Sequence, residues 1–95
     1  VYEGEWRAGK RHGHGVQHYG VGDKVEPSYT GEWKDNQRNG KGKMVYESGN
    51  VYDGDWKEDC KEGHGTMHWI TRQERYTGAW FADLQSGFGE HVWIE

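Results

Sequence analysis

The stretch YTGEWKDNQRNGKGKMVY, from Tyr29 to Tyr46, carries the pattern from which the fold is read. Tyr29, Gly31 and Trp33 fall at every second position; Asn36 follows, then the pair Gly40 and Gly42, then a closing aromatic, Tyr46. Alternate positions of a β-strand share one face, so tyrosine, glycine and tryptophan line up together. The same framework begins again at Tyr2, Tyr52 and Tyr76, with glycine at Gly4, Gly54 and Gly78 and tryptophan at Trp6, Trp56 and Trp80. Each copy continues to a Gly-x-Gly pair (Gly13 and Gly15, Gly63 and Gly65, Gly87 and Gly89) and to Tyr19, Trp69 or Trp93. Every tyrosine and tryptophan of the chain is absorbed, which makes the four blocks, 2–19, 29–46, 52–69 and 76–93, true repeats.

A helical reading fails, because three framework glycines per block would each cost a helix about 1 kcal/mol relative to alanine. Seven residues after each opening tyrosine stand Gly9, Asn36, Asp59 and Asp83, residue types suited to a left-handed backbone in a tight turn. Each block is therefore predicted to be one β-hairpin. The glycines of the second strand are expected to leave slots for rings of adjacent hairpins, each ring contributing roughly 3–5 kcal/mol. The predicted fold class is all-β, an elongated single-layer array of four consecutive hairpins, or repeat solenoid, extending roughly 40 Å. Segments 20–28, 47–51 and 70–75 are the variable connections, the longest containing Pro27.

Composition agrees with a thin layer. Of 95 residues, 32% are hydrophobic, 15% aromatic and 16 are glycine, enough rings for one layer but little for a thick aliphatic core. A net charge of −4 argues against a nucleic-acid partner. No apolar run approaches the roughly 20 residues of a membrane helix. The lone cysteine, Cys60, excludes an internal disulfide and fits a reducing compartment. Val1 as the first residue suggests a piece of a longer protein.

The sequence presents no catalytic or metal-binding constellation. Gly-x-Gly here precedes neither a Gly-Lys-Ser/Thr sequence nor a helix, so packing explains it better than phosphate binding. His14 and His18, or His64 and His68, are four apart, which on a strand separates them by about 13 Å, too far to share a metal ion. Cys60 neighbours Asp59, whose charge discourages a thiolate. The carboxylates Glu3, Glu5, Glu32, Asp53 and Asp55 alternate with aromatics along open strands, without an apolar pocket for acid–base chemistry. The expectation is no enzyme, no metal and no cofactor.

With the aromatics on one face, the other face of the first three blocks reads as mixed charge, and the fourth departs from it with Phe81 and Phe88. Two candidate partner-binding surfaces follow. One is a Phe81/Phe88 patch, which an aromatic-rich interface would use as an anchor. The other is a groove of ring edges at Trp6, Trp33, Trp56 and Trp80, suited to gripping a peptide.

The fourfold Tyr-x-Gly-x-Trp, turn, Gly-x-Gly and aromatic pattern resembles the MORN (membrane occupation and recognition nexus) repeat along the whole chain. Departures are Trp69 and Trp93 in place of the commoner tyrosine, and Ala79 where the other blocks have Glu5, Glu32 and Asp55. The resemblance implies a non-catalytic protein-binding scaffold. The last two blocks, Gly63 to Trp69 and Tyr76 to Trp93, are similar to repeats of radial-spoke-head proteins, implying a cytoplasmic, cytoskeletal or ciliary setting with axonemal partners. Family precedent also includes phosphoinositide or membrane docking, for which Lys34, Lys41 and Lys43 give a small basic strip, and targeting modules of larger enzymes.

Overall fold

The computed structural model describes residues 2–19, 27–70 and 72–93. Eight strands follow one another: β1 Tyr2–Arg7, β2 Lys10–His18, β3 Ser28–Lys34, β4 Gln37–Val45, β5 Val51–Lys57, β6 Cys60–Trp69, β7 Glu74–Phe81 and β8 Leu84–Trp93. They form one open antiparallel sheet in chain order, each strand paired with its sequence neighbours. The molecule measures 44 × 34 × 15 Å, a single layer lengthened across its strands. Most of the connection expected at 20–28 lies outside the described residues.

Each repeat is a hairpin closed by a two-residue loop. Arg7 pairs with Lys10, Lys34 with Gln37, Lys57 with Cys60 and Phe81 with Leu84. Both loop residues have positive φ: Asn36, Asp59 and Asp83 at 68–70°, Gly9 at 78°, and the preceding Ala8, Asp35, Glu58 and Ala82 at 47–50°. Two consecutive positive φ values characterise the type I′ turn, whose twist matches that of the flanking strands. The left-handed positions expected from the sequence are thus present, and the residue before each shares the conformation.

The turn residues also join the repeats. Asn36 donates its N–H to Arg11 O at 3.0 Å and accepts the Arg11 N–H on Oδ1 at 2.8 Å. Asp59 does the same with Arg38, and Asp83 with Lys61, at 3.1 and 2.8 Å in both cases. The cation held this way lies over the tryptophan of the following repeat: Arg11 over Trp33 at 4.7 Å, Arg38 over Trp56 at 4.7 Å, Lys61 over Trp80 at 5.2 Å.

Beneath those cations runs one row of rings. Within a repeat, tyrosine and tryptophan meet edge to face at 4.9–5.4 Å. Between repeats, Tyr2 meets Trp33, Tyr29 meets Trp56 and Tyr52 meets Trp80 at 5.4–5.5 Å, also edge to face, the geometry favoured by the ring quadrupole. Tyr29 and Tyr52 are fully buried, and Trp33, Trp56, Tyr76 and Trp80 nearly so.

The slot left by the second glycine of each pair is filled from within the hairpin, which corrects the expectation of a ring from its neighbour. A Cβ on Gly42 would overlap the Tyr29 ring, and one on Gly31 would overlap the Gly42 backbone. Tyr29 therefore extends over both glycines and donates its hydroxyl to Glu32 O at 2.9 Å. The adjacent repeat contributes tryptophan instead: Trp33 Nε1 donates to Gly15 O at 3.2 Å, Trp56 Nε1 to Gly42 O at 3.1 Å and Trp80 Nε1 to Gly65 O at 3.0 Å. The closing aromatics are peripheral, with Tyr46 and Trp69 packed at the core's border and Tyr19 and Trp93 exposed. Buried Met44 and Met67, two residues past the second glycine, take the core positions on the second strands.

Trp56→Ala should remove roughly 3–5 kcal/mol of stability in urea unfolding, the usual range for deleting a buried large aromatic. Trp6→Ala, at a ring 58% exposed, should cost markedly less. Equal losses at the two positions would contradict this packing.

Candidate functional site

Burial sorts the four candidate tryptophans. Trp33, Trp56 and Trp80 are buried and their indole N–H groups are committed to carbonyls, so they form no open groove of ring edges. Only Trp6, on β1, is exposed among the four. The other face of the sheet is accessible, and its chemistry is set by an irregularity in every hairpin.

Between the first-strand glycine and tryptophan the register shifts. Gly31 pairs with Gly42 and Trp33 with Arg38, so the single residue Glu32 faces Asn39, Gly40 and Lys41. Gly40 takes φ 104° to make this bulge, with Gly13, Gly63 and Gly87 also at positive φ in the other hairpins. The acid opposite satisfies the bulge. Glu32 accepts the Lys41 N–H at 2.5 Å, Glu5 that of His14 at 2.5 Å and Asp55 that of His64 at 3.0 Å.

The same row of positions continues across the sheet, where each after the first stands opposite a histidine or lysine of the preceding strand. His14 pairs with Glu32, Lys41 with Asp55 and His64 with Ala79. Lys41 Nζ lies 2.5 Å from Asp55 Oδ1. Burial tends to raise the Asp55 carboxyl, but the Lys41 hydrogen bond, the His64 N–H and the Lys41 charge together hold it below the ordinary range. On this face Glu5, His14, Glu32, Lys41, Lys43 and Asp53 border an open concavity of about 550 Å³.

The row changes character at its β8 end. Ala79 replaces the acid, and Phe81, Leu84 and Phe88 are 63%, 70% and 98% exposed. Phe81 and Leu84 are cross-strand partners beside the turn, and Phe88, farther along β8, is exposed on the same charged face. Leu84 was missed in the sequence; its signal was its place immediately after Asp83, opposite Phe81 in a two-residue hairpin loop. The fourth repeat differs on the aromatic side as well. His91 takes the place of Met44 and Met67, stacks between Trp69 and Trp93, and lies 3.1 Å from the buried Glu74, which also meets Arg72 at 2.6 Å.

Among the described residues, no three His, Cys, Asp or Glu side chains are placed to hold a metal ion. Cys60 is free and partly buried, at the start of β6. Burial first, then the Asp83 carboxylate, push its thiol above the ordinary range, so it is a weak nucleophile.

Because the Asp55 carboxyl is held low, its contribution is complete above the ordinary aspartate value of about 3.9 and is lost as pH falls through the depressed folded value. Asp55→Asn should therefore be less stable than the parent at pH 7, with the difference shrinking on acidification below about pH 4. Urea titrations across this range would test it; a constant difference would show that the charge of Asp55 is immaterial.

No curated protein matches the chain. The MORN repeat family matches it at residues 2–24, 29–51, 52–72 and 76–94, one match for each hairpin. With the repeat of tyrosine, paired glycines and tryptophan now accounted for by contacts, and the family match spanning most of its length, the chain belongs to the MORN repeat family, whose repeats serve as protein- or membrane-binding modules.

Proposed function

We propose that this array is a non-catalytic scaffold that binds other proteins through the apolar end of its charged face. The observation that carries this reading is the exposure of Phe81, Leu84 and Phe88, at 63%, 70% and 98%, on a face whose other exposed side chains are mostly charged or polar. Exposed apolar clusters rimmed by polar groups are characteristic of interaction surfaces, and aromatic anchors dominate binding energy. The proposed setting is a cytoplasmic, cytoskeletal or axonemal assembly. Its support is the resemblance of the last two repeats to radial-spoke-head arrays.

The absence of catalysis is part of the proposal. Its support is the pairing of the face's carboxylates with backbone N–H groups or neighbouring cations, as at Asp55. A role as the targeting module of a larger enzyme uses the same surface and is compatible with it.

Docking to anionic lipid has less support. Of the three lysines of the second repeat, Lys41 is engaged by Asp55 and Lys43 stands directly opposite Asp53. Near an anionic surface each free basic residue contributes only about 1 kcal/mol.

Phe81→Ser/Phe88→Ser should leave stability within about 0.5 kcal/mol of the parent, since both rings are exposed. It should weaken partner capture roughly tenfold or more in cross-linking mass spectrometry with ciliated-cell extract. Undiminished capture of every partner by the folded variant would remove the patch from the interface. Flotation with phosphoinositide-containing liposomes at physiological salt should show little retention; lysine-dependent retention would favour the lipid reading.

A further inference from the structure

In the first three hairpins the bulge N–H ends on a carboxylate of the same repeat, at 2.5, 2.5 and 3.0 Å. That carboxylate fills the space beside the bulge glycine: a Cβ on Gly13, Gly40 or Gly63 would meet its oxygen at 2.5, 2.5 or 2.8 Å. The fourth hairpin keeps the backbone of this arrangement. Gly87 has φ 62°, and the register shift between Gly78 and Trp80 is the same. It lacks the acid. Ala79 has no side-chain oxygen to accept the Phe88 N–H, and the nearest atom to a Cβ on Gly87 would be the Ala79 Cβ, at 3.8 Å.

Two further groups converge on this position. His64 is the direct cross-strand partner of Ala79, as Lys41 is of Asp55, so a basic side chain stands beside the place where an acid would be. Phe81, Leu84 and Phe88 lie on the same face and are exposed. A bulge geometry that takes a carboxylate in three repeats, a neighbouring imidazole and an apolar surround therefore occur together only in the fourth repeat.

We propose that the β8 bulge binds a carboxylate delivered by another protein, an Asp or Glu side chain of an acidic peptide whose neighbouring residues are apolar. The carboxylate accepts the Phe88 N–H, as Glu32 accepts that of Lys41, and lies beside His64. The apolar neighbours cover Phe81, Leu84 and Phe88. Hydrogen bonds to a charged acceptor are about twice as strong as neutral ones and fix register, while the aromatic surface supplies the contact area. This inference rests on the protein-binding reading and adds the chemistry of the partner.

The test uses peptides selected from a random phage-displayed library on the parent array, then measured by fluorescence anisotropy. Three arrays are compared: the parent, Ala79→Glu, and Phe81→Ser/Phe88→Ser. Ala79→Glu supplies the acid in cis, as Glu5 and Glu32 do, and should raise the thermal midpoint. The expected result is peptides sharing an acid between apolar residues, bound roughly tenfold more weakly by Ala79→Glu, or about 1.4 kcal/mol. On binding, the Phe88 amide proton should shift downfield in nuclear magnetic resonance. Peptides that require Phe81 and Phe88 yet bind Ala79→Glu as well as the parent would overturn the carboxylate position while leaving the protein-binding surface intact. Peptides indifferent to both variants would overturn both readings. Self-association of the array, lost in the phenylalanine variant, would assign the patch to a second copy and also overturn the acidic-peptide occupant.

Discussion

Tyr29 can lie against the backbone only because Gly31 and Gly42 carry no side chains beneath it. From that contact the order of the sheet follows. With the tyrosine seated and its hydroxyl anchored at 2.9 Å on Glu32 O, its ring offers edge and face to Trp33 within the repeat and to Trp56 in the next. Trp56 then reaches a carbonyl of the preceding second strand, and a cation from that strand covers it. A layer only 15 Å thick excludes water from its rings because backbone, glycine and cation close them in from several sides. An aliphatic core of this thickness would have no comparable cover.

The two faces of the sheet consequently have different duties. Rings on one side hold the hairpins together, leaving few of them free for a partner. On the other side acids fasten the bulges of the first three hairpins, and the Lys41–Asp55 ion pair joins the second repeat to the third. On this face Lys41 and Asp55 form an ion pair between the second and third repeats, whereas the fourth exposes Phe81, Leu84 and Phe88, so the proposed recognition is concentrated where the repetition fails.

Much of this was legible because a period of two and a spacing of whole repeats are properties of the chain itself. The tyrosines, tryptophans, glycines and turn residues announced hairpins, and all eight strands are present. The reading was weaker where chemistry depends on which strand a side chain meets. Gly15 and Gly42 looked like receptors for a neighbouring ring, whereas the tyrosine of their own hairpin fills them. Met44 and Met67 share the core face by simple alternation, but the eye follows the aromatic framework past them. The loss of the acid at Ala79 was visible, yet its meaning required the register shift that sets one residue opposite three. The groove expected at Trp33, Trp56 and Trp80 failed because spacing places a ring on a face without saying whether the next repeat covers it.

The bonds between successive turns give the array a direction. Asn36, Asp59 and Asp83 each reach back to the repeat before, while Arg11, Arg38 and Lys61 each lean forward over the repeat after. A junction thus joins two unlike surfaces, and the two flanks of a hairpin are not interchangeable. Whole interior hairpins can be exchanged, duplicated or removed with every remaining junction still joining a back-reaching turn to a forward-leaning cation. Reversing a hairpin, or moving the boundary to its middle, brings like surfaces together. Length can therefore vary in units of one hairpin while polarity is preserved, as in a chain of hooks and eyes.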